Sequence, residues 1–245
     1  MIPQVPPGPW TGLPPGRATA SLLAVDAALI GANVGLSALS FLDLIASVPD
    51  AWRLETERNL AAAWTILKWA ALATLCAWAA CRGRGALPAA LAAAFAMLLA
   101  DDALEGHERL GRALAEGLSL PAPPFLRAQD AGELLVVAAE CAILALLLAW
   151  AWRRRRQGDA RRLAVFVALF GLLGLAGVVC DMAHEAVRAW PVPRYATGVA
   201  EDGGEMVVAS LLLAYAWAVF GPVAPRSEPD PEPVAAPGFA PDPER

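Results

Sequence analysis

LAVFVALFGLLGLAGVVCDMAHE, residues 163–185, decides the fold. From Leu163 to Cys180 it carries neither charge nor proline, and it then ends in Asp181, His184 and Glu185. The apolar residues run on without alternation, which argues against a strand of a membrane barrel. A bilayer-crossing helix takes roughly 20 such residues, and this run supplies them.

Five more stretches read the same way. The spacing predicts helices over 18–48, 60–81, 87–110, 128–152, 163–187 and 199–220, punctuated by Pro49, by Arg82-Gly83-Arg84-Gly85, by residues 121–124 and by Pro191-Val192-Pro193. The whole chain agrees: 58% of its residues are hydrophobic and its mean hydropathy is +0.49, well above a soluble domain. The expected fold is an all-α, polytopic membrane bundle of six transmembrane helices over 18–220.

Two flanking segments complete the organisation. Residues 1–17 are proline-rich and lack the basic start and apolar centre of a cleavable signal, so the first span is expected to remain as an anchor. Residues 221–245 mix proline with Glu228, Asp230, Glu232, Asp242 and Glu244, which account for much of the net charge of −5. Such a tail cannot bury enough surface to fold and is expected to be disordered.

Orientation follows from arginine. RRRRQGDARR, residues 153–162, holds six arginines between spans four and five and is expected to be cytoplasmic, which places both termini there in a bacterial inner membrane. This explains the basic run without nucleic acid. Cys76, Cys81, Cys141 and Cys180 lack redox or zinc-knuckle spacing and read as small core residues.

Spans three and four resemble spans five and six. The first pair runs from DDALEGHE to QDAGELLVV and the second from CDMAHE to EDGGEMVV, each with Asp-x-x-Glu opening the returning helix (Asp130 and Glu133; Asp202 and Glu205). This reads as a parallel repeat of helical hairpins, and membrane proteins built from repeats often place a site where these meet.

Both histidines of the chain precede a glutamate, in His107-Glu108 and His184-Glu185, at the acidic ends of spans three and five. On an unbroken helix Asp101, Glu105 and Glu108 share one face, as do Asp181, His184 and Glu185, while His107 points away from its neighbours' stripe. With Glu133 and Glu205, four helices then offer carboxylates at one level, the ligand supply of a metal site in a bundle.

Three readings stay open. The cluster binds a divalent metal (zinc, manganese or iron), structurally or to activate water, with His107, Glu108, Glu133, Asp181, His184, Glu185 and Glu205 as ligands and Asp101 and Glu105 as further ligands or general base. Alternatively it handles protons or cations. In the third reading it is a structural network neutralised by Arg109, Arg112, Arg127 and Arg188.

Lys68 in span two and Glu140 in span four are expected to pair at mid-depth. Asp26, Asn33 and Asp43 are expected to face the interior of span one. Trp52, Trp64 and Trp190 at one level, with Trp150 and Trp152 at the other, fit interfacial anchoring.

LLADDALEGHERLG, residues 98–111, resembles the Leu-Asp-Glu, four residues, His-Glu-Arg-Leu-Gly pattern of a group of uncharacterised bacterial multi-pass membrane proteins. RLETERNL before span two and EDGGEM in the last span extend the likeness over about residues 50–220. The chain departs from the pattern at Asp102, where glutamate is expected, and after Met206, where glycine is. The resemblance implies the membrane architecture and picks out Asp101, Asp102, His107, Glu108, Glu201, Asp202 and Glu205, with a bend or an interfacial role at His107. It implies no activity.

The leading functional expectation is therefore an outward-facing metal site, with hydrolysis of a lipid-linked substrate arriving through the bilayer as the chemistry it would suit. The alternative is a transporter-like component or a subunit of a membrane complex.

Overall fold

The computed structural model describes residues 15–54, 59–122 and 126–222. The proline-rich start, the middle of RLETERNL with Arg58, and the acidic tail beyond residue 222 lie outside them. Helices α1 (Pro15–Phe41), α2 (Leu60–Cys81), α3 (Ala86–Leu104), α4 (Gly106–Gly117) and α5 (Ala128–Arg153) form the first part of the chain. α6 (Asp159–Gly174), a π-helical turn (Leu175–Val179), α7 (Cys180–Ala186) and α8 (Pro191–Phe220) form the rest. Among the described residues six helical segments are long and apolar enough to cross a membrane: α1, α2, α3, α5, the α6–α7 unit and α8.

α8 is the hub. It packs against α2, α1, α6 and α7, while α3 lies between α2 and α5, and α4 folds back along α5. Lipid tails give helices no hydrophobic reason to associate, so close packing of small residues must do it. Ala79, Ala90, Ala94, Ala209, Ala216 and Cys76 are accordingly fully buried at the helix contacts. Aromatic rings tie the layers: Phe95 of α3 stacks 6.1 Å from Trp69 of α2 and lies 5.6 Å from Phe170 of α6.

Local signals explain several boundaries. The side chain of Asn59 accepts the Ala62 amide at 2.7 Å and starts α2. The Asp130 carboxylate takes the Arg127 amide at 2.6 Å ahead of α5. α8 begins well before residue 199, because Pro191 and Pro193 sit in its first turn, where no amide is needed, rather than in the loop.

Other expectations need correcting. The first helix ends at Phe41, so Asp43 lies beyond it, exposed and with φ +56°. Asp26 and Asn33 are buried as expected. Cys76 belongs to the core, but Cys81 and Cys141 are exposed. An uncharged thiol is at ease against apolar surroundings, so an apolar run does not distinguish core from periphery.

Lys68 does not pair with Glu140. Its Nζ reaches Asp26 of α1 at 3.1 Å and donates to the Met206 carbonyl (2.6 Å) and Ser210 hydroxyl (3.2 Å) of α8. α2 packs on α1 and α8 rather than on α5, so the buried lysine finds its counter-charge on that side. Trp64, one turn into α2, donates to Asp26 at 2.8 Å.

The repeat is partial. In each half a long helix loses its regularity and continues as a shorter one, α3 to α4 and α6 to α7, and each short helix packs on the helix that follows. Asp130 and Glu133 do open α5, whereas Asp202 and Glu205 lie well inside α8.

Candidate functional site

The irregularities of the third and fifth segments shape the site. Glu105 adopts the left-handed conformation (φ 53°, ψ 44°), where α3 stops and α4 sets off in a new direction. The expected stripe of Asp101, Glu105 and Glu108 is thereby broken, and His107 turns back onto Asp101. One Asp101 oxygen accepts the His107 backbone amide at 2.6 Å and the other meets His107 Nδ1 at 2.7 Å. Asp101 thus serves as the cap of α4.

The hydrogen bond to Asp101 pushes the His107 imidazole up to about 9, with Glu108 and Glu133 adding to the pull. The folded value lies above the ordinary 6.5. Stability from this pair is therefore complete below pH 6.5 and is lost as pH rises through about 9. Melting of the detergent-solubilised protein from pH 6 to 10 should show that fall, and His107→Gln should flatten it. An unchanged slope in the variant would assign the fall elsewhere.

α4 is held against α5 by a backbone contact. A methyl group built on Gly132 of α5 would run into the Gly111 carbonyl of α4, and one on Gly111 would meet the Glu133 backbone. Only glycine at both positions permits this approach. At 1.5 Å per residue, Asp101 and Glu205 each lie about 23 Å from the opposite ends of α3 and α8, and Glu140 about 20 Å from the end of α5, so the three share one level.

Between these elements lies a half-open cavity of about 660 Å³. Among the described residues eleven carboxylates line it: Asp101, Asp102, Glu105 and Glu108 at the α3–α4 break, Glu133 and Glu140 of α5, Asp181 and Glu185 of α7, and Glu201, Asp202 and Glu205 of α8. Against them stand two arginines, Arg112 and Arg127, with His107 and His184. Leu98, Leu144, Phe170 and Leu173 form an apolar wall. Every residue singled out from sequence as ligand or base lines this one cavity, as does Glu140; Lys68 does not.

The acids differ in what they touch. Asp102 accepts from Trp69 Nε1 at 2.7 Å, and Glu133 accepts from Gln129 at 2.7 Å. Arg127 bridges Asp130 (2.8 Å) and Glu185 (3.4 Å), joining α5 to α7, with Arg188 3.9 Å from the same glutamate. Arg109 pairs with Glu105 at 2.8 Å. These contacts realise part of the structural network. Glu140, Asp181, Glu201 and Glu205 make no such bond among the described residues.

The histidines are committed to protein partners. Arg194 lies 3.3 Å from His184 Nε2 as its donor, and His184 Nδ1 is buried with no partner among the described residues. Among the described residues no three His, Cys, Asp or Glu side chains are grouped to hold one metal ion. The expected ligands share the cavity but are spread around its wall, and Asp181 and His184 do not converge with a third donor.

Sequence reasoning missed the π-helical turn. There the Cys180 amide reaches back five residues to the Leu175 carbonyl, and Gly177 leaves space that the end of the Glu205 side chain fills. The glycines of LGLAGVV were its available signal. Asp26 as the partner of Lys68 was the other omission; both are isolated charges in apolar runs.

No curated protein and no solved structure matches the chain. A family model described as Domain of unknown function (DUF8692) matches residues 17–219, nearly the whole helical body, and the chain belongs to that family.

Proposed function

We propose that the cavity is a cation-binding chamber within the membrane, and that the protein is a proton- or cation-handling component of a bacterial inner membrane. Among the described residues, the excess of eleven lining carboxylates over two lining arginines, with Arg109 and Arg188 reaching only Glu105 and Glu185, carries this reading. Carboxylates held among apolar helices lose hydration and call for opposite charge, and the protein's own arginines satisfy only some of them. A bound cation, a proton included, supplies the remainder. At about 660 Å³ the chamber falls within the 300–1,000 Å³ range of small-molecule sites, so an organic cation fits as well as an ion.

Metal-assisted hydrolysis of a lipid-linked substrate, the leading expectation from sequence, would require the spread donors to draw together. A cation-handling role uses them where they stand. The arginines at the opposite end of the bundle support cytoplasmic termini, with the chamber facing outward.

The test is thermal unfolding of the purified protein titrated with sodium, potassium, magnesium, zinc and tetramethylammonium. A ligand at a hundred times its Kd stabilises by about 2.7 kcal/mol, a readable shift. The expected result is a saturable shift with at least one of these ions that disappears in Glu201→Gln/Glu205→Gln while the variant's ligand-free Tm stays near the parent's. A shift with none of them, together with no proton uptake in proteoliposomes, sinks the reading. A shift confined to zinc would restore the metal-centre reading.

A further inference from the structure

The end of the bundle away from the chamber carries a second charged surface of opposite sign. The α2–α3 turn contributes Arg82 and Arg84, and residues 153–162 contribute six more arginines. These segments are one surface: Arg156 donates to the Gly83 carbonyl at 2.9 Å, and Arg84 to the Phe220 carbonyl of α8 at 2.8 Å. Among the described residues of these segments the only carboxylate is Asp159, which is buried, accepts the Arg156 amide and pairs with Arg162 at 3.3 Å. Arg153, Arg154 and Arg161 are exposed and make no side-chain hydrogen bond or ion pair among the described residues.

Tryptophans mark the level of this surface. Trp150, Trp152 and Trp217 are exposed near the same helix ends. Arg155 lies 4.2 Å over the Trp152 ring, and Arg82 lies 5.1 Å over Trp78. Exposed indole rings beside guanidinium groups, at the ends of apolar helices, place the arginines at headgroup depth. Guanidinium is the side chain best shaped for phosphate oxygens.

We propose that this surface binds the phosphate groups of anionic phospholipids in the adjoining leaflet, with Arg153, Arg154 and Arg161 as its free donors. It is independent of the cation chamber. The acidic tail is the competing occupant, since the chain leaves α8 beside Arg84; its acids are few and separated by prolines, whereas lipid phosphate is present at the surface throughout.

The full chain in neutral detergent is titrated with phosphatidylglycerol and, in parallel, phosphatidylcholine, and bound lipids are counted by native mass spectrometry. The parent should retain phosphatidylglycerol preferentially, and less so at high salt. R153Q/R154Q/R161Q leaves the hydrogen bonds of the turn in place. At roughly fivefold per arginine it should weaken phosphatidylglycerol binding on the order of a hundredfold, and lysine at the three positions should restore it. R154Q alone, with about a fivefold loss, serves if the triple variant does not fold. Equal retention of the two lipids, undiminished binding in the glutamine variants, or full competition by inorganic phosphate at matched concentration would overturn the proposal. So would phosphatidylglycerol binding that appears only after truncation beyond Pro222, which would assign the surface to the tail.

Discussion

Lys68→Met is expected to destabilise the protein by about 3–5 kcal/mol, the usual cost of removing one member of a buried ion pair. Lys68 is 1% exposed and Asp26 0%, so the variant leaves a carboxylate deep in the bundle without its cation. Among the described residues only the Trp64 indole would remain to solvate it, and one Asp26 oxygen already has no partner there. The Met206 carbonyl and Ser210 hydroxyl lose their donor as well. Asp26→Asn/Lys68→Met removes both charges and should recover most of the loss, so a double-mutant cycle separates the pair from the packing. Unfolding in mixed micelles reads it. A Lys68→Met protein within about 1 kcal/mol of the parent would show that the pair does not hold α1 and α8 to α2.

Gly132→Ala is the second large effect. Its methyl meets a backbone carbonyl, which cannot swing aside as a side chain can, so α4 must lift from α5. Overpacking of this kind costs about 1–3 kcal/mol. Lifting α4 also displaces His107 and Glu108 from the chamber wall, so cation-dependent stabilisation should fall together with Tm. Gly117→Ala, in the same helix as Gly111 with nothing near the added methyl, should be neutral or slightly stabilising. Equal behaviour of the two variants would show that the close approach is not maintained in solution.

The helical body was legible because the physics of spanning a bilayer is written in runs of residue types, and 163–185 alone fixes the class. Where each run stops was less legible. Pro191 and Pro193 read as loop because proline breaks helices, yet in a first turn it is harmless. The site showed the same division. Its residues could be picked out because charges in apolar segments are conspicuous; the candidate ligands and bases line one cavity, while Lys68 and Asp26 pair apart from it. Their partners could not, since Lys68 selecting Asp26 over Glu140 depends on which helices are neighbours. His107 illustrates both: a straight helix turns it away from Asp101, and only the left-handed Glu105 folds it back.

The π-helical turn at Leu175–Val179 also bears on how such a chamber arises. A π turn holds one residue more than the α-helix it interrupts, and one residue is a rotation of about 100°. Asp181, His184 and Glu185 lie beyond it, so their azimuth depends on that extra residue. Deleting a single codon there would leave an intact apolar span with its acids swung off the chamber. The acidic lining from this helix thus depends on the length of the chain before it as well as on the choice of side chains.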